Sequence, residues 1–110
     1  MIDLEKMSKE HATLFPNATA ESQFVKLEEE INELLEAETT EQELKEKADI
    51  QIVCGGLYRW FPRVAEVISR NYFDSLGIEA EVNRKWQVNL GRKWEWNGKT
   101  YKHVGKDGNE

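Results

Sequence analysis

Apolar residues recur at helical spacing along two consecutive segments of the chain. In residues 20–38 they advance by steps of three and four, which places them on one helix face: Phe24, Leu27, Ile31, Leu34 and Leu35. Residues 41–60 are charged in their first half and apolar on almost every side in their second half, which is typical of a buried helix. Because only a short break at Thr39-Thr40 separates the two segments, we expect them to pack as an antiparallel helical hairpin.

Weaker patterns flank this hairpin. The first dozen residues predict a short helix that ends near Pro16, because proline disfavours helical geometry in the residue before it. Residues 63–75 and 78–91 predict two further helices, and Gly77 is placed as the C-cap of the first of them. Beyond the last helix, Asn97-Gly98 lies between aromatic residues and favours a β-hairpin.

These elements predict an all-α fold, a bundle of four to five helices with a short irregular or hairpin C-terminal tail. We expect residues 1–110 to form a single domain, with its core at 20–94 and its tail at 95–110. Hydrophobic residues make up 39% of the chain and charged residues 33%, which is a globular composition.

The charge and the cysteine content narrow the function classes. The formal net charge is −6, which argues against nucleic acid as a partner, because phosphate backbones repel an acidic surface. The most apolar stretch, residues 48–61, is too short and too polar to span a bilayer, so no membrane partner is expected. A lone cysteine, Cys54, and an N-terminus without a secretory pattern favour a cytoplasmic location.

Acidic residues at matched spacing are the candidate chemistry. Glu30 and Glu33 are three apart on the first helix of the hairpin, and Glu46 and Asp49 repeat that spacing on the second. An antiparallel hairpin can bring both pairs face to face, where their charges repel unless a cation neutralises them. A hard divalent ion prefers such oxygen ligands, so Mg²⁺, with Mn²⁺ as an alternative, is the predicted cofactor.

A solvated acidic helix face is the competing interpretation of these glutamates. Asp49 is the most informative residue, because an ionised aspartate among apolar neighbours is costly unless it is paired or bound to metal. Its simplest alternative is an exposed salt bridge with Lys45, one helical turn away, which would contribute only about 0.2–0.5 kcal/mol.

Two segments of the chain match the pattern of a known family. Residues 26–34, which include a doubled glutamate at Glu29-Glu30, followed after a spacer by Glu46-Lys47-Ala48-Asp49, resemble the E-x-x-E / E-x-x-D signature of the MazG-like all-α nucleoside triphosphate pyrophosphohydrolases. Residues 83–94 resemble the late helix of that family, and the whole resemblance covers residues 22–94. The stretch 58–77 departs from the family by being longer and more aromatic.

The resemblance implies a Mg²⁺-dependent enzyme that cleaves a (deoxy)nucleoside triphosphate to the monophosphate and pyrophosphate. A homodimer or homotetramer is expected, because the apolar helix at residues 48–61 has more apolar surface than three short helices can cover. The resemblance also implies that the metal is held by Glu30, Glu33, Glu46 and Asp49, and that these act in catalysis together with Glu29. Either Glu29 or Glu33 would orient or deprotonate the attacking water. The implied substrate-binding residues are Lys26, Lys85, Trp86, Asn89 and Arg92.

Aromatic residues are candidates for a base pocket, although a core role is favoured for each one taken singly. The candidates are Phe15, Trp60, Trp86, Trp94 and Trp96. His11 and His103 lack metal-ligand spacing and are predicted to be surface residues.

Two other functions remain open from the sequence. A non-catalytic acidic helical adaptor would dimerise through residues 48–61 and show no metal dependence. The basic and aromatic tail that begins at Arg92 fits single-strand nucleic-acid binding, against which the acidic remainder argues.

Overall fold

The computed structural model describes residues 2–104, which fold into five helices and one antiparallel hairpin. The helices are α1 (Leu4–Leu14), α2 (Ala20–Leu35), α3 (Thr40–Leu57), α4 (Pro62–Asn71) and α5 (Ile78–Leu90). The strands are β1 (Lys93–Trp96) and β2 (Tyr101–Val104). The predicted all-α bundle with a C-terminal hairpin is confirmed. Within residues 2–104, no helix has the length and apolar character needed to cross a membrane.

Helix α3 occupies the centre of the bundle and contacts α1, α2, α4 and α5. Its apolar half is buried on every side, and Ile50 and Leu57 are fully inaccessible. Residues 48–61 were expected to carry more apolar surface than three short helices can cover. That expectation was wrong, because four surrounding helices cover the apolar half of α3 within the chain.

Side-chain caps explain where the two long helices begin. The hydroxyl of Thr19 accepts a hydrogen bond from the Ser22 backbone N–H, and the hydroxyl of Ser22 accepts one from the Thr19 backbone N–H, which forms a capping box. Thr39 caps α3 by accepting from the Gln42 backbone N–H. Gly77 is not the C-cap that was expected, because α4 already ends at Asn71; instead Gly77, with a φ of 85°, precedes α5.

A pair of glycines lets α1 and α2 approach α3 closely. A Cβ atom at Gly55 would lie 2.5 Å from the sulfur of Met7 on α1. A Cβ atom at Gly56 would lie 2.5 Å from Nε2 of His11 and would also collide with the side-chain oxygen of Gln23 on α2. The Gly-Gly pair therefore serves close helix packing at this level of the bundle.

The hairpin begins at Lys93, before the predicted start of the tail, and residues 105–110 of that tail lie outside the described residues. Its turn contains Gly98, with a φ of 93°, as the Asn-Gly signal predicts. The backbone N–H of Asn17 donates a 2.9 Å hydrogen bond to the Tyr101 hydroxyl. The ring of Phe15 lies 5.1 Å from that of Trp94, centroid to centroid, so the hairpin packs on the loop between α1 and α2.

Candidate active site

The four predicted metal ligands lie together. Glu30 and Glu33 on α2 and Glu46 and Asp49 on α3 each offer one carboxylate oxygen, and these oxygens all lie within 4.8 Å of one another. Glu33 is the exposed member, and the other three are partly buried. The arrangement predicted from the two helical spacings is therefore present in the fold.

The inward position of Glu30 follows from the face that α2 turns towards α3. Gln23 and Leu27 are buried, and Glu30 follows them at helical spacing on the same face. Phe24, which was expected on the apolar stripe, is 42% exposed and packs at the periphery against Phe61. The buried face of α2 is thus offset by about one residue from the apolar stripe. This offset places Glu30 on the side that faces α3.

Burial and mutual repulsion raise the pKa values of two of the clustered carboxylates. Burial, a hydrogen bond with Glu33 and the nearby carboxylates raise the pKa of Glu30 to about 9. The same causes raise the pKa of Glu46 to about 7. One oxygen of Glu30 is buried and has no hydrogen-bond partner among the described residues. An oxygen-only donor set with surplus negative charge and an unused lone pair fits a hard divalent cation such as Mg²⁺.

Asp49 is paired across the bundle rather than along its own helix. The Nζ atom of Lys85 on α5 donates to both carboxylate oxygens of Asp49 at 2.9 Å. Burial still raises the pKa of Asp49 against the opposing effect of Lys85. Lys45, the alternative partner considered from the sequence, instead pairs with Glu41 at 3.6 Å.

A cavity of about 650 Å³ adjoins this cluster, within the size range of small-molecule sites. Glu30 and Asp49 form part of its wall. Its cationic lining residues are Lys26, Lys45, Arg84, Lys85 and Arg92. Its uncharged polar and aromatic lining residues include His11, Phe15, Gln23, Asn89, Trp94, Thr100 and Tyr101. Positive charge is therefore available beside the carboxylates, together with uncharged polar and aromatic side chains.

Most of the predicted substrate-binding residues line this cavity. Trp86, which was predicted to bind substrate, and Glu29, which was predicted to act in catalysis, lie elsewhere. Lys26, Lys85, Asn89 and Arg92 all line the cavity. Trp86 is buried in the core, with its indole N–H donating to Glu10 at 2.8 Å, and does not line the cavity. Glu29 lies outside the carboxylate cluster and forms an exposed ion pair with Lys26 at 3.6 Å.

Of the five aromatic candidates for a base pocket, Phe15 and Trp94 line the cavity. Trp60 packs against the core under the guanidinium of Arg59, and Trp96 packs against Tyr101. Core packing thus accounts for Trp60 and Trp86, as was favoured for any single aromatic residue.

Four residues that were not predicted as site residues also line the cavity: His11, Gln23, Thr100 and Tyr101. The prediction that His11 is a surface residue was wrong, because its side chain is 95% buried. The signal was present in α1, where His11 falls at helical spacing on the same face as the buried Leu4 and Met7. Gln23 could have been found as the residue one helical turn before Leu27. Nothing local indicated that the hairpin folds back over the cavity.

His11 is uncharged in its buried position. Burial, aided by the nearby positive charge of Arg59, lowers the pKa of His11 to about 4. Its Nδ1 atom is buried and has no hydrogen-bond partner among the described residues. The imidazole, which lines the cavity, therefore carries a buried polar atom without a partner and no formal charge.

Comparisons of the chain with protein-family models, with curated proteins and with solved structures find no match.

Proposed function

We propose that the protein is a Mg²⁺-dependent nucleoside triphosphate pyrophosphohydrolase that converts a (d)NTP to the (d)NMP and pyrophosphate. The observation that carries this proposal is the convergence of four carboxylates within 4.8 Å, beside a cavity whose lining includes both cations and uncharged aromatic residues. A nucleotide has the matching distribution, with phosphates at one end and an aromatic heterocycle at the other. The resemblance of the two sequence segments supports the same reaction.

The residues around the carboxylates suit a triphosphate. Glu30, Glu33, Glu46 and Asp49 would hold the metal ion, which supplies Lewis-acid polarisation and a template for the phosphates. Arg92 faces the same cavity, where its positive charge offsets the negative charge that develops on phosphate oxygens. Lys85, which pairs with Asp49 and lines the cavity, would be released towards a phosphate oxygen once the metal ion neutralises Asp49, because its side chain is flexible.

Glu33 is the better candidate for orienting the attacking water. It belongs to the carboxylate cluster and is its exposed member, whereas Glu29 lies outside the cluster and is paired with Lys26. In the proposed reaction Glu33 accepts a proton from the water as its oxygen attacks the α-phosphorus. The bond from that phosphorus to the bridging oxygen breaks, and the oxygen leaves with pyrophosphate.

Product analysis of the purified protein tests the proposal. With Mg²⁺ and a panel of ribo- and deoxyribonucleoside triphosphates, we expect equal amounts of monophosphate and pyrophosphate from at least one substrate. A chelator should abolish the release, and Mn²⁺ should restore it. Stepwise release of orthophosphate, or no turnover of any triphosphate, would contradict the proposed reaction.

A second candidate, a non-catalytic helical adaptor, is favoured by the apolar residues that remain exposed on and beside α4. They are Phe24, Phe61, Val64 and Val67. The surface first suggested for this adaptor, residues 48–61, is mostly buried within the chain, so the contact would use α4 instead. The adaptor predicts that Mg²⁺ and nucleotide leave the thermal midpoint unchanged, whereas the enzyme predicts a rise.

A further inference from the structure

The uncharged part of the cavity contains two buried polar side chains with unused hydrogen-bonding capacity. His11 and Gln23 are 95% and 94% buried. Nδ1 of His11 has no partner among the described residues, and the Gln23 amide nitrogen has a long 3.4 Å contact with the Ser22 hydroxyl. Because an unsatisfied buried polar group costs about 1–3 kcal/mol, a bound ligand that satisfies it is a physical reason for its presence.

The side chains of His11 and Gln23 both pack against the α3 backbone at Gly56, which has no side chain of its own. A Cβ atom at Gly56 would collide with Nε2 of His11 and with the side-chain oxygen of Gln23. The glycine thus makes room for a histidine and an amide side by side in the cavity wall. Such a pair offers hydrogen-bond donors and acceptors together, as the edge of a heterocycle requires.

Aromatic rings continue the wall from His11. The ring of Phe15 lies 4.6 Å from that of His11 and 4.9 Å from that of Tyr101, centroid to centroid. Trp94 meets Phe15 edge-on at 5.1 Å. Three of these rings belong to the loop after α1 and to the hairpin, and together they provide the apolar surface on which a flat ring packs.

The charged and uncharged parts of the cavity are separated along α3. Asp49 marks the carboxylate cluster and Gly56 marks the level of His11 and Gln23, so seven residues of helix, about 10 Å, lie between them. A ligand that contacts both levels of α3 would fit best with its charged groups near the carboxylate cluster and a neutral ring near His11 and Gln23. The low pKa of His11, about 4, agrees with this polarity because the imidazole stays neutral.

We propose that this part of the cavity recognises the nucleobase, with His11 and Gln23 hydrogen-bonding to the base edge and Phe15, Trp94 and Tyr101 packing around its ring. The inference rests on the proposed function for its class of ligand. It adds the residues that select among bases, and it gives the C-terminal hairpin a part in binding.

Binding measurements test the base site without requiring turnover. Titration calorimetry with AMP, GMP, CMP and UMP, with ribose 5-phosphate as the ligand that lacks a base, measures what the base contributes. We expect at least one nucleotide to bind about tenfold or more tightly than ribose 5-phosphate. His11→Phe and Gln23→Met should each remove most of that difference and leave binding of ribose 5-phosphate unchanged.

Stability distinguishes this role from a structural one. Since His11 Nδ1 has no partner to lose, His11→Phe should lower the thermal midpoint by no more than about 10 °C, which is the effect of fitting a larger ring beside Gly56, and Gln23→Met should shift it by only a few degrees. Gln87→Met, at an exposed position outside the cavity lining, is the matched control and should bind every ligand as the wild type does. Variants that fold well and still favour a nucleotide over ribose 5-phosphate would overturn the proposal.

The outcomes separate the base site from the reaction. If the wild type binds a nucleotide through its base but releases no pyrophosphate, the proposed reaction fails and the base site stands. If it hydrolyses triphosphates but binds the four nucleotides no more tightly than ribose 5-phosphate, the reaction stands and the base site is wrong.

Discussion

Asp49 illustrates what can be predicted from a single residue of this chain and what cannot. Its position at the start of the apolar half of α3 predicted that the carboxylate needs a partner, and it has one. That partner, Lys85, lies 36 residues further along the chain, beyond the reach of any helical spacing. The need for a partner can be predicted from local sequence, whereas its identity depends on how α5 packs against α3.

Removing one charge from the carboxylate cluster tests its role directly. Asp49→Asn and Glu33→Gln should each lower Mg²⁺-dependent pyrophosphate release by about a hundredfold or more, because each removes a charged ligand while preserving shape. The measurements are steady-state release and a thermal melt that reports folding. Glu36→Gln alters a nearby exposed glutamate outside the cluster and should retain full activity. Near-normal turnover by either cluster variant would mean that these ligands are wrongly assigned.

The raised pKa values of Glu30 and Glu46 make stability depend on pH in a defined direction. The folded protein holds these protons more tightly than the unfolded chain, whose glutamates titrate near 4.5. Their contribution is therefore complete below about pH 4.5 and is lost as pH rises towards about 7 for Glu46 and about 9 for Glu30.

We expect the midpoint of the metal-free protein to fall between about pH 5 and about pH 9, with each lost kcal/mol lowering it by about 4–8 °C. The stabilisation given by Mg²⁺ should grow over the same range, because the cation binds the deprotonated carboxylates. Melting curves with chelator and with Mg²⁺ measure both effects. Glu30→Gln should flatten the fall, and an unchanged slope would contradict the assignment to this cluster.

At the scale of elements, the helices could be predicted and their orientation could not. The apolar stripe of α2 predicted a helix, but it placed Phe24 inwards, where the fold has Gln23 instead. A single helix does not determine which side of a broad apolar stripe faces the core, because that depends on the neighbouring helices. Here the choice matters for function, because it brings Glu30 and Gln23 to the cavity.

The close approach of α1 to α3 predicts a sharp difference between two glycine substitutions. Gly55→Ala places a methyl group 2.5 Å from the Met7 sulfur, and we expect a loss of about 1–3 kcal/mol as the side chain is displaced. Gly91→Ala, whose nearest neighbour lies at 3.6 Å, should change stability by less than about 0.5 kcal/mol. Urea denaturation measures both. Equal effects would contradict a packing role for Gly55.

The hairpin was predicted from Asn97-Gly98, but its position was not. Because β1 and β2 are close together in the sequence, the turn residues between them are enough to determine how the two strands pair. The contact between Asn17 and Tyr101 spans 84 residues, and only the assembled bundle brings the two together. Thr100 and Tyr101 were therefore missed as cavity residues.

At the scale of the whole molecule, a group of exposed apolar residues lies on and beside α4 rather than on α3, and the other exposed large apolar residues are Leu35, Leu76, Leu90 and Val104 among those described. Val64 and Val67 are 41% and 48% exposed, and Phe24 and Phe61 lie close by at similar exposure. The expected homodimer or homotetramer would place its contact here. This surface is distinct from the residues that line the cavity.

Sedimentation of the wild type should show a dimer or tetramer, and Val67→Lys should shift it towards monomer, because a buried lysine charge is costly at an apolar contact. Val104→Lys introduces the same charge at an exposed valine on β2 and should leave the assembly unchanged. A monomeric wild type at all concentrations would make the oligomer prediction wrong.

The contact between the hairpin and the α1–α2 loop has a consequence for the order in which the protein is made. The five helices, with all four clustered carboxylates, are synthesised before Trp94, Thr100 and Tyr101. At ordinary rates of translation the interval is on the order of one second. A growing chain can therefore gather its carboxylates before the cavity wall is complete, and we expect chains truncated near Leu90 to lack the proposed base site.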